Sequence, residues 1–239
     1  MCGTCGCDAK TSLANEDAHR HITVERDLLH HNNAHAAANR RAFAAADLLA
    51  INLMSGPGAG KTSLLEATFP RLPARLAAAV IVGDQHTEND AARLRARGVA
   101  AAQINTGKLC HLDAHMVGHA LDDLAPLEGG LLFIENVGNL VCPAAFDLGE
   151  NFRVVLAAVT EGEDKPLKYP YMFAGADLML ITKCDLLPHL ECSLARLAEN
   201  ARKINGQIHA IALSARTGEG MDAWLAWLMA ARQELRAAP

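Results

Sequence analysis

The sequence lacks an excess of basic residues, a leader-like segment and any apolar run long enough to span a bilayer. It has 22 Lys and Arg against 27 Asp and Glu and no basic stripe, which argues against a nucleic-acid partner. Residues 1–25 show no basic stretch followed by an apolar run, so no signal peptide is expected. Residues 48–54 and 129–141 are the most apolar segments, and their length predicts buried strands. We therefore expect a cytoplasmic protein that binds neither nucleic acid nor membranes.

A disulfide framework is also not expected. The seven cysteines are odd in number, and a reducing compartment disfavours disulfides, so a cysteine cluster favours metal or redox chemistry. The eleven histidines are many for 239 residues. His19, His21, His30, His31 and His35 lie together near the N-terminus. They could be a low-affinity metal store, but a polar helix face is the favoured interpretation.

Short apolar runs alternate with amphipathic stretches from residue 48 onwards. Such alternation predicts an α/β fold with a mostly parallel sheet and helices on both faces. Residues 22–46 predict a helix rich in Ala and Arg. The predicted strands are residues 48–55, 78–84, 101–105, 131–136, 154–159, 177–182 and 208–214.

A phosphate-binding loop follows the first predicted strand. Residues 55–63 read SGPGAGKTS and match the end of the Walker A pattern, although Ser55 stands where the strict pattern has glycine. Backbone N–H groups of such a loop point at phosphate oxygens. Lys61 would reach the β- and γ-phosphates, and Thr62 would ligate Mg²⁺. The loop predicts nucleotide contacts from Gly56, Gly58, Ala59, Gly60, Lys61, Thr62 and Ser63.

Two carboxylates end later strands of the predicted sheet. Asp84 ends one strand and Glu135 another, and ligands gather at the carboxyl ends of parallel strands. Glu135 stands where a Walker B carboxylate would hold Mg²⁺ through a water. Residues 135–138, ENVG, have the spacing of a switch loop that senses the γ-phosphate. We predict Lys61, Asp84 and Glu135 as catalytic residues, with Asp84 positioning the attacking water and sharing the Mg²⁺ site with Thr62 and Glu135.

Turnover of the nucleotide is expected to be slow. Asn139 follows the switch glycine, so the usual water-orienting Gln is absent at that place. Lys165 and Lys168 lie in the segment EGEDKPLKYP. One of them could contact phosphate charge across a dimer, and a solvated charge run is an equal alternative.

The tetrapeptide TKCD at residues 182–185 predicts recognition of guanine. Asp185 could accept hydrogen bonds from guanine N1–H and the exocyclic amine, a donor pair that adenine lacks. The stem of Lys183 would pack along the base. Ser214 and Ala215, after the last predicted strand, could give a backbone N–H to guanine O6. This order of motifs favours GTP over ATP.

The N-terminus carries the first of two predicted metal sites. Cys2, Cys5 and Cys7 form C-x-x-C-G-C, and thiolates are soft metal ligands. With the α-amino group they would make an S₃N donor set suited to Ni²⁺. Tetrahedral Zn²⁺ is the competing interpretation, and a redox C-x-x-C is less favoured.

The second predicted metal site combines Cys110, His111 and Cys142. Three N/S ligands are one short of a closed structural zinc site, so water or a second subunit would complete the set. Cys142 lies only seven residues beyond Glu135, so an ion there could respond to the nucleotide. Free buried cysteines are common, and a plain structural role is the alternative.

These segments together resemble the HypB family, the nickel-incorporation GTPases of NiFe-hydrogenase maturation. The resemblance covers nearly the whole chain and rests on CxxCGC, SGPGAGKTS, VGDQHTENDAARL, INTGKLCHLDAHM, FIENVGNLVCPAAFDLGE and VTEGEDKPLKYP. It implies a GTPase that dimerises on nucleotide and holds nickel tightly through the N-terminal cysteines. It also implies a weaker nickel or zinc site at the dimer interface, formed by Cys110, His111 and Cys142.

The resemblance further implies partners and a domain plan. Such proteins work with a HypA-type nickel chaperone, and in some organisms with SlyD, to deliver nickel to the hydrogenase large subunit. No long polyhistidine tract is present, which argues against bulk nickel storage. We expect a flexible metal-binding tail at residues 1–20, a helix at 21–47 and a P-loop GTPase domain at 48–239.

Other functions compete with this one. The urease-type nickel chaperone GTPases are a sibling class. Members of that class lack the CxxCGC opening that this chain has, which argues against this alternative. A P-loop small-molecule kinase with a structural zinc site is the second alternative, and TKCD and the metal cluster count against it. A pure metal-storage module is the third.

Overall fold

Every strand predicted from the apolar runs is present in the computed structural model, which describes residues 28–237. The strands are β1 (Leu49–Ser55), β2 (Ala78–Asp84), β3 (Ala100–Asn105), β4 (Leu131–Glu135), β5 (Phe152–Ala158), β6 (Leu178–Thr182) and β7 (His209–Ala212). The helices are α1 (28–45), α2 (Lys61–Thr68), α3 (Asn89–Arg95), α4 (Ala114–Asp122), α5 (Lys165–Lys168), α6 (Pro170–Ala174), α7 (Leu194–Ile204) and α8 (Met221–Ala237).

The strands form one parallel sheet in the order β3-β2-β4-β1-β5-β6-β7. Strand β1 lies in its interior, between β4 and β5. The register sets Leu53 of β1 and Val82 of β2 beside Glu135 of β4. The carboxyl ends of β1, β2 and β4 therefore meet at one edge of the sheet, where ligands of parallel sheets bind.

Helices cover both faces of the sheet because successive strand residues point to opposite sides. Leu53 and Phe133 face α2, α3 and α8, where the largest buried side chain, Trp224, packs. Ala50 and Ile134 face α1 and α4. Beyond β1, the same second face is covered by α6 and α7. The α/β prediction with two helical layers is thus confirmed.

Helix α1 packs on the sheet through Phe43, which is fully buried. Polar side chains fix its position: the Asn39 amide donates to the carbonyls of Ala114 (2.7 Å) and Leu148 (2.9 Å). The Asn32 amide donates to Asp147 O at 2.8 Å. The predicted tail at residues 1–20, with Cys2, Cys5 and Cys7, and the start of the predicted N-terminal helix lie outside the described residues.

The described helices also bear on the membrane question. Among residues 28–237, no helix combines the length and apolarity that a bilayer span needs.

Candidate functional site

The loop between β1 and α2 turns through two glycines in left-handed backbone conformations. Gly58 has φ 74° and Gly60 has φ 99°, values that residues with a Cβ rarely adopt. Lys61, the first residue of α2, is 8% exposed and donates from Nζ to Ser55 Oγ at 3.0 Å. Burial lowers the pKa of this lysine, and the nearby Glu135 carboxylate opposes that shift. Ser55, in the place of the Walker A glycine, thus holds the head of Lys61 at the loop.

A second strand braces the same loop. The Thr182 hydroxyl, at the end of β6, donates to Ala59 O at 2.7 Å and is buried. The first residue of the TKCD segment therefore links the predicted base-reading segment to the predicted phosphate-binding loop.

Thr62 and Glu135 lie in direct contact beside Lys61. The Thr62 hydroxyl donates to Glu135 Oε1 at 2.7 Å. Glu135 is buried, and this burial raises its pKa to about 7, against the attraction of Lys61. Its other oxygen, Oε2, is buried and finds no hydrogen-bond partner among residues 28–237. A hydroxyl and an unpartnered buried carboxylate oxygen are the hard oxygen ligands that Mg²⁺ prefers, so the residues fit that ion.

Asp84 ends β2 and is hydrogen-bonded to the turn that follows it. Its Oδ1 accepts the backbone N–H groups of Thr87 (2.8 Å) and His86 (2.9 Å). Partial burial opposes ionisation, but these hydrogen bonds outweigh it and lower the pKa of Asp84. Asp84 is therefore an anion at neutral pH.

All three predicted catalytic residues border one cavity of about 400 Å³ at the carboxyl ends of β1, β2 and β4. At this cavity the switch loop packs directly against the phosphate-binding loop, since a Cβ on Gly138 would lie only 3.0 Å from Pro57 Cα. Gly56 instead lies against Glu161, whose Oε1 is 2.9 Å from the position of a Cβ there. The lining residues are Pro57, Gly58, Lys61, Gly83, Asp84, Gln85, His86, Thr87, Asp90, Glu135, Asn136, Val137 and Gly138.

A second cavity, of about 450 Å³, lies on the other side of the loop. It gathers the predicted base contacts and three residues of the phosphate-binding loop, whereas Gly56 and Thr62 line neither cavity. Lys183 enters it with a left-handed backbone, φ 60°, which turns the chain after β6. The lining residues are Ala59, Gly60, Ser63, Leu64, Thr182, Lys183, Asp185, Leu186, Leu213, Ser214, Ala215 and Arg216.

Asp185 is held in place by two donors. Its Oδ1 accepts the Ser214 hydroxyl at 2.6 Å, and its Oδ2 accepts Arg216 Nε at 2.9 Å. The Ser214 hydrogen bond lowers the pKa of Asp185 most, and the Arg216 guanidinium lowers it further against the effect of burial. Sequence reasoning missed Arg216, because no motif spacing marks it and the fold alone brings it to Asp185.

Cys110, His111 and Cys142 come together as the sequence predicts. One donor atom from each lies within 4.8 Å of the others, and no other such group of three is found among the described residues. The two sulfurs are 2.6 Å apart, and Cys110 Sγ lies 3.9 Å from His111 Nδ1. The His111 ring stacks on Phe146, and burial lowers its pKa, so it is neutral at pH 7. Neutral imidazole and thiolate are ligand types that suit nickel and zinc. The hydrogen bond with Cys110 and burial raise the pKa of Cys142 to about 11, so this thiol must lose its proton when an ion binds.

A buried asparagine connects this cluster to the switch loop. Asn136 Oδ1 accepts the N–H groups of Val137 (2.9 Å), on the switch loop, and Leu112 (3.1 Å), directly after His111. Its amide donates to Asn52 Oδ1 at 3.2 Å on β1. On the other side of the switch, Asn139 Oδ1 accepts Val141 N–H at 2.7 Å and Cys142 N–H at 3.3 Å. The segment 135–142, called the switch segment below, therefore contacts the loop of Cys110 and His111 through Asn136 and carries Cys142 at its other end.

Lys165 and Lys168, one of which could act across a dimer, are both paired within the chain. Lys165 contacts Glu161 at 2.6 Å in a half-buried pair, and Lys168 contacts Asp164 at 2.7 Å on the surface. Glu161 Oε2 also accepts Ala158 N–H at 2.8 Å. Because Glu161 lies against Gly56, its partner Lys165 helps to hold the carboxylate that packs on the phosphate-binding loop.

Comparisons with known proteins agree with this geometry. The nucleotide-binding domain model of the CobW/HypB/UreG family matches residues 49–212. The hydrogenase maturation factor HypB of Rhizobium leguminosarum bv. viciae is 60% identical over 219 residues, 91% of this chain and 73% of that protein. The HypB of Escherichia coli strain K12 is 54% identical over 221 residues, 92% and 76% of the two chains.

Two solved structures are also similar. HypB from Helicobacter pylori, crystallised in complex with nickel, superposes with a TM-score of 0.81 and 37% identity, covering 85% of this chain and 95% of that one. HypB from Archaeoglobus fulgidus gives a TM-score of 0.79 and 39% identity, covering 85% of this chain and 100% of that one.

Proposed function

Because this chain belongs to the HypB family of hydrogenase maturation factors, we propose that it is a GTP-hydrolysing nickel metallochaperone. It would deliver nickel to the large subunit of a NiFe-hydrogenase, or regulate that insertion. One observation carries the proposal: the Cys110–His111–Cys142 cluster is hydrogen-bonded to the switch segment, residues 135–142, which borders the first cavity.

Guanine selection rests on the second cavity. Asp185, kept ionised by Ser214 and Arg216, would accept from guanine N1–H and the exocyclic amine. The stem of Lys183 and a backbone N–H at Ser214 or Ala215 would complete the base pocket. Adenine offers no matching pair of donors, so this pocket favours GTP and GDP.

Hydrolysis rests on the first cavity. Lys61 would neutralise charge on the β- and γ-phosphates while backbone N–H groups of residues 58–63 hold their oxygens. Thr62 and Glu135, with Asp84 nearby, would hold Mg²⁺, which supplies charge stabilisation to the phosphates when bound. Asp84, an anion at neutral pH, would orient the attacking water. Turnover would be slow because Asn139 replaces the usual Gln.

Nickel is the cargo in this proposal. The interior cluster offers two sulfurs and one neutral imidazole, and a second copy of the chain or water would complete the ligand set. Zn²⁺ is the other ion that these ligands suit. Cys2, Cys5 and Cys7 would form the tighter nickel site in the N-terminal segment.

Coupling between nucleotide and metal follows from the hydrogen bonds of Asn136. A ligand that moves residues 135–142 would shift both Val137 and the loop that carries Cys110 and His111, because Asn136 holds both. Such coupling is reciprocal, so nickel would also change nucleotide affinity. The partners we propose are a second copy of the chain, in a nucleotide-dependent homodimer, a HypA-type chaperone and, in some organisms, SlyD.

The comparisons favour this function over a urease-type chaperone and over a small-molecule kinase. A Lys61→Ala variant tests it against pure metal storage. The variant should lose GTP hydrolysis and hydrogenase maturation while retaining nickel, since among residues 28–237 Lys61 donates to Ser55 Oγ and to neither Cys110 nor Cys142. Lys203→Ala, an exposed lysine on α7, is the matched control. Full hydrogenase activity with Lys61→Ala would refute the GTPase function in maturation.

A further inference from the structure

The ion pair of Glu150 and Arg153 lies outside both nucleotide cavities and outside the metal-ligand cluster, and the proposed function assigns it no role. Arg153 Nε lies 2.7 Å from Glu150 Oε1, and the two side chains are 23% and 2% exposed. Moving two charges out of water costs free energy that their attraction often fails to offset. Such a pair is weak evidence for stability, so its role lies in what else it contacts.

The Arg153 guanidinium holds the backbone that follows Cys142. Its Nη1 donates to Ala144 O and its Nη2 to Phe146 O, both at 3.3 Å. Cys142 opens the short 3-10 helix Cys142–Ala145. The Phe146 ring stacks on His111, with the ring centroids 3.8 Å apart. Arg153 therefore fixes the chain between one sulfur ligand candidate and the ring that packs on the imidazole.

Glu150 connects this guanidinium to the switch segment. Its Oε1 also accepts the Asn52 amide at 3.2 Å, and its Oε2 accepts Leu148 N–H at 2.6 Å. Asn52 in turn accepts the Asn136 amide. Asn52, Asn136 and Glu150 are all buried. A continuous chain of hydrogen bonds thus runs from the switch segment, across β1, to Arg153 on β5.

The two ends of this chain hold the metal-ligand cluster from two sides. At one end, Asn136 accepts the Leu112 N–H, directly after His111. At the other end, the guanidinium holds the backbone between Cys142 and Phe146. A buried polar network whose members are satisfied is rigid and specifies one arrangement. Metal ligands need such support, because the groups that orient them set much of the affinity.

We propose that Arg153 is a positioning residue for the Cys110–His111–Cys142 cluster, held in place by Glu150, and that the pair ties Cys142 and Phe146 to the switch segment. That the cluster binds nickel rests on the proposed function. That Arg153 holds residues 142–146 does not depend on any ion.

The first test measures nickel binding in a chain whose Cys2, Cys5 and Cys7 are replaced by Ala. Arg153→Lys keeps the positive charge beside Glu150 but lacks the planar fork that reaches both carbonyls. Nickel affinity, measured by competition with a chelator, should fall about 10-fold or more, as it does when groups that orient metal ligands are removed. The sulfur-to-nickel charge-transfer absorption should shift, because the position of Cys142 changes.

Glu150→Gln removes the charge that holds Arg153 and should act in the same direction. The two substitutions combined should lose no more affinity than the more severe of them alone, because both act through one contact. Fully additive losses would contradict this.

Arg40→Lys is the matched control. Arg40 Nη2 donates to both oxygens of Asp147, at 2.9 and 3.0 Å, so the same arginine fork is lost next to the same loop. Arg40 contacts neither Ala144 nor Phe146 by a hydrogen bond. The control should leave the nickel affinity and the absorption at the parent values, and circular dichroism should show that every variant is folded.

The second test needs no metal. Hydrogen exchange of the backbone amides in residues 142–146 should be faster in metal-free Arg153→Lys than in the parent, and unchanged in Arg40→Lys. The proposal is overturned if exchange in this segment is the same in Arg153→Lys and the parent, or if Arg153→Lys keeps the parent nickel affinity and absorption. A parent chain that binds no nickel at Cys110 and Cys142 would instead overturn the proposed function, and the exchange rates would still decide whether Arg153 holds the segment.

Discussion

Replacing Asn136 by Ala should uncouple the metal cluster from the nucleotide. The side chain is 1% exposed and makes three hydrogen bonds, to Leu112 N–H, Val137 N–H and Asn52 Oδ1. Alanine cannot make any of them. The loop after His111 and the switch loop would then lose their shared contact.

The expected loss of stability follows from the same contacts. A buried polar group left without a partner costs about 1–3 kcal/mol, so three such groups give a lower limit of about 3 kcal/mol. A control must lose stability without touching the switch. Asn200→Ala serves, because Asn200 is buried on α7, where its amide donates to Glu163 O at 3.0 Å.

The functional effect is measured as a ratio of nickel affinities. Coupling free energies are typically about 1–3 kcal/mol, or roughly 5- to 150-fold in affinity. The assay titrates nickel with GDP and with a non-hydrolysable GTP analogue, in a chain with Cys2, Cys5 and Cys7 replaced by Ala. Asn136→Ala should move the ratio toward one, and Asn200→Ala should leave it at the parent value.

If folded Asn136→Ala protein keeps the parent ratio, Asn136 does not carry the coupling. A ratio lost in both variants would show that general destabilisation, rather than the contact with Leu112, is responsible.

Three further predictions concern Asp185, the N-terminal cysteines and Glu135. Asp185→Asn should weaken GTP binding on the order of 100-fold, since two charge-assisted hydrogen bonds contribute about 1.5 kcal/mol or more each, and the variant should gain binding of xanthosine triphosphate. Nucleotide competition measures both effects. An unaltered base preference would show that Asp185 does not bind the guanine base. Replacing Cys2, Cys5 and Cys7 by Ala should remove the tightest nickel site and spare GTP hydrolysis, so an unchanged nickel titration would exclude the N-terminal segment from binding. In nucleotide-free, metal-free protein, Glu135 has its pKa raised from 4.5 to about 7 and binds its proton more tightly when folded. The stability that this proton contributes is therefore present below pH 4.5 and is lost as the pH rises to about 7. Over that range the free energy of unfolding should fall by up to about 1.4 kcal/mol per pH unit. Urea unfolding at pH 5.5 and 7.0 should show a smaller drop for Glu135→Gln, and equal drops would contradict the raised pKa.

The strands and motifs were predictable because they depend on local pattern. Apolar runs bounded by polar residues identify all seven strands, and the SGPGAGKTS and TKCD segments begin at the last residues of β1 and β6. The rule that ligands gather at strand carboxyl ends correctly predicts that Asp84, Glu135 and Lys61 border one cavity.

The contacts that join these motifs were not predictable from spacing. Asn136 occupies an unspecified position within ENVG, yet its amide joins three segments of the chain. Arg216 reaches Asp185 only because β6 and β7 are neighbours. Tertiary contact, which a single sequence does not report, decides each of these.

The most direct test of nucleotide control over the interior metal site is its nickel affinity in the two nucleotide states. The protein would carry Ala at Cys2, Cys5 and Cys7, so that Cys110, His111 and Cys142 hold the thiol-bound nickel. The account predicts dissociation constants that differ by at least about 5-fold between GDP and a non-hydrolysable GTP analogue. Identical constants in the two states would contradict it.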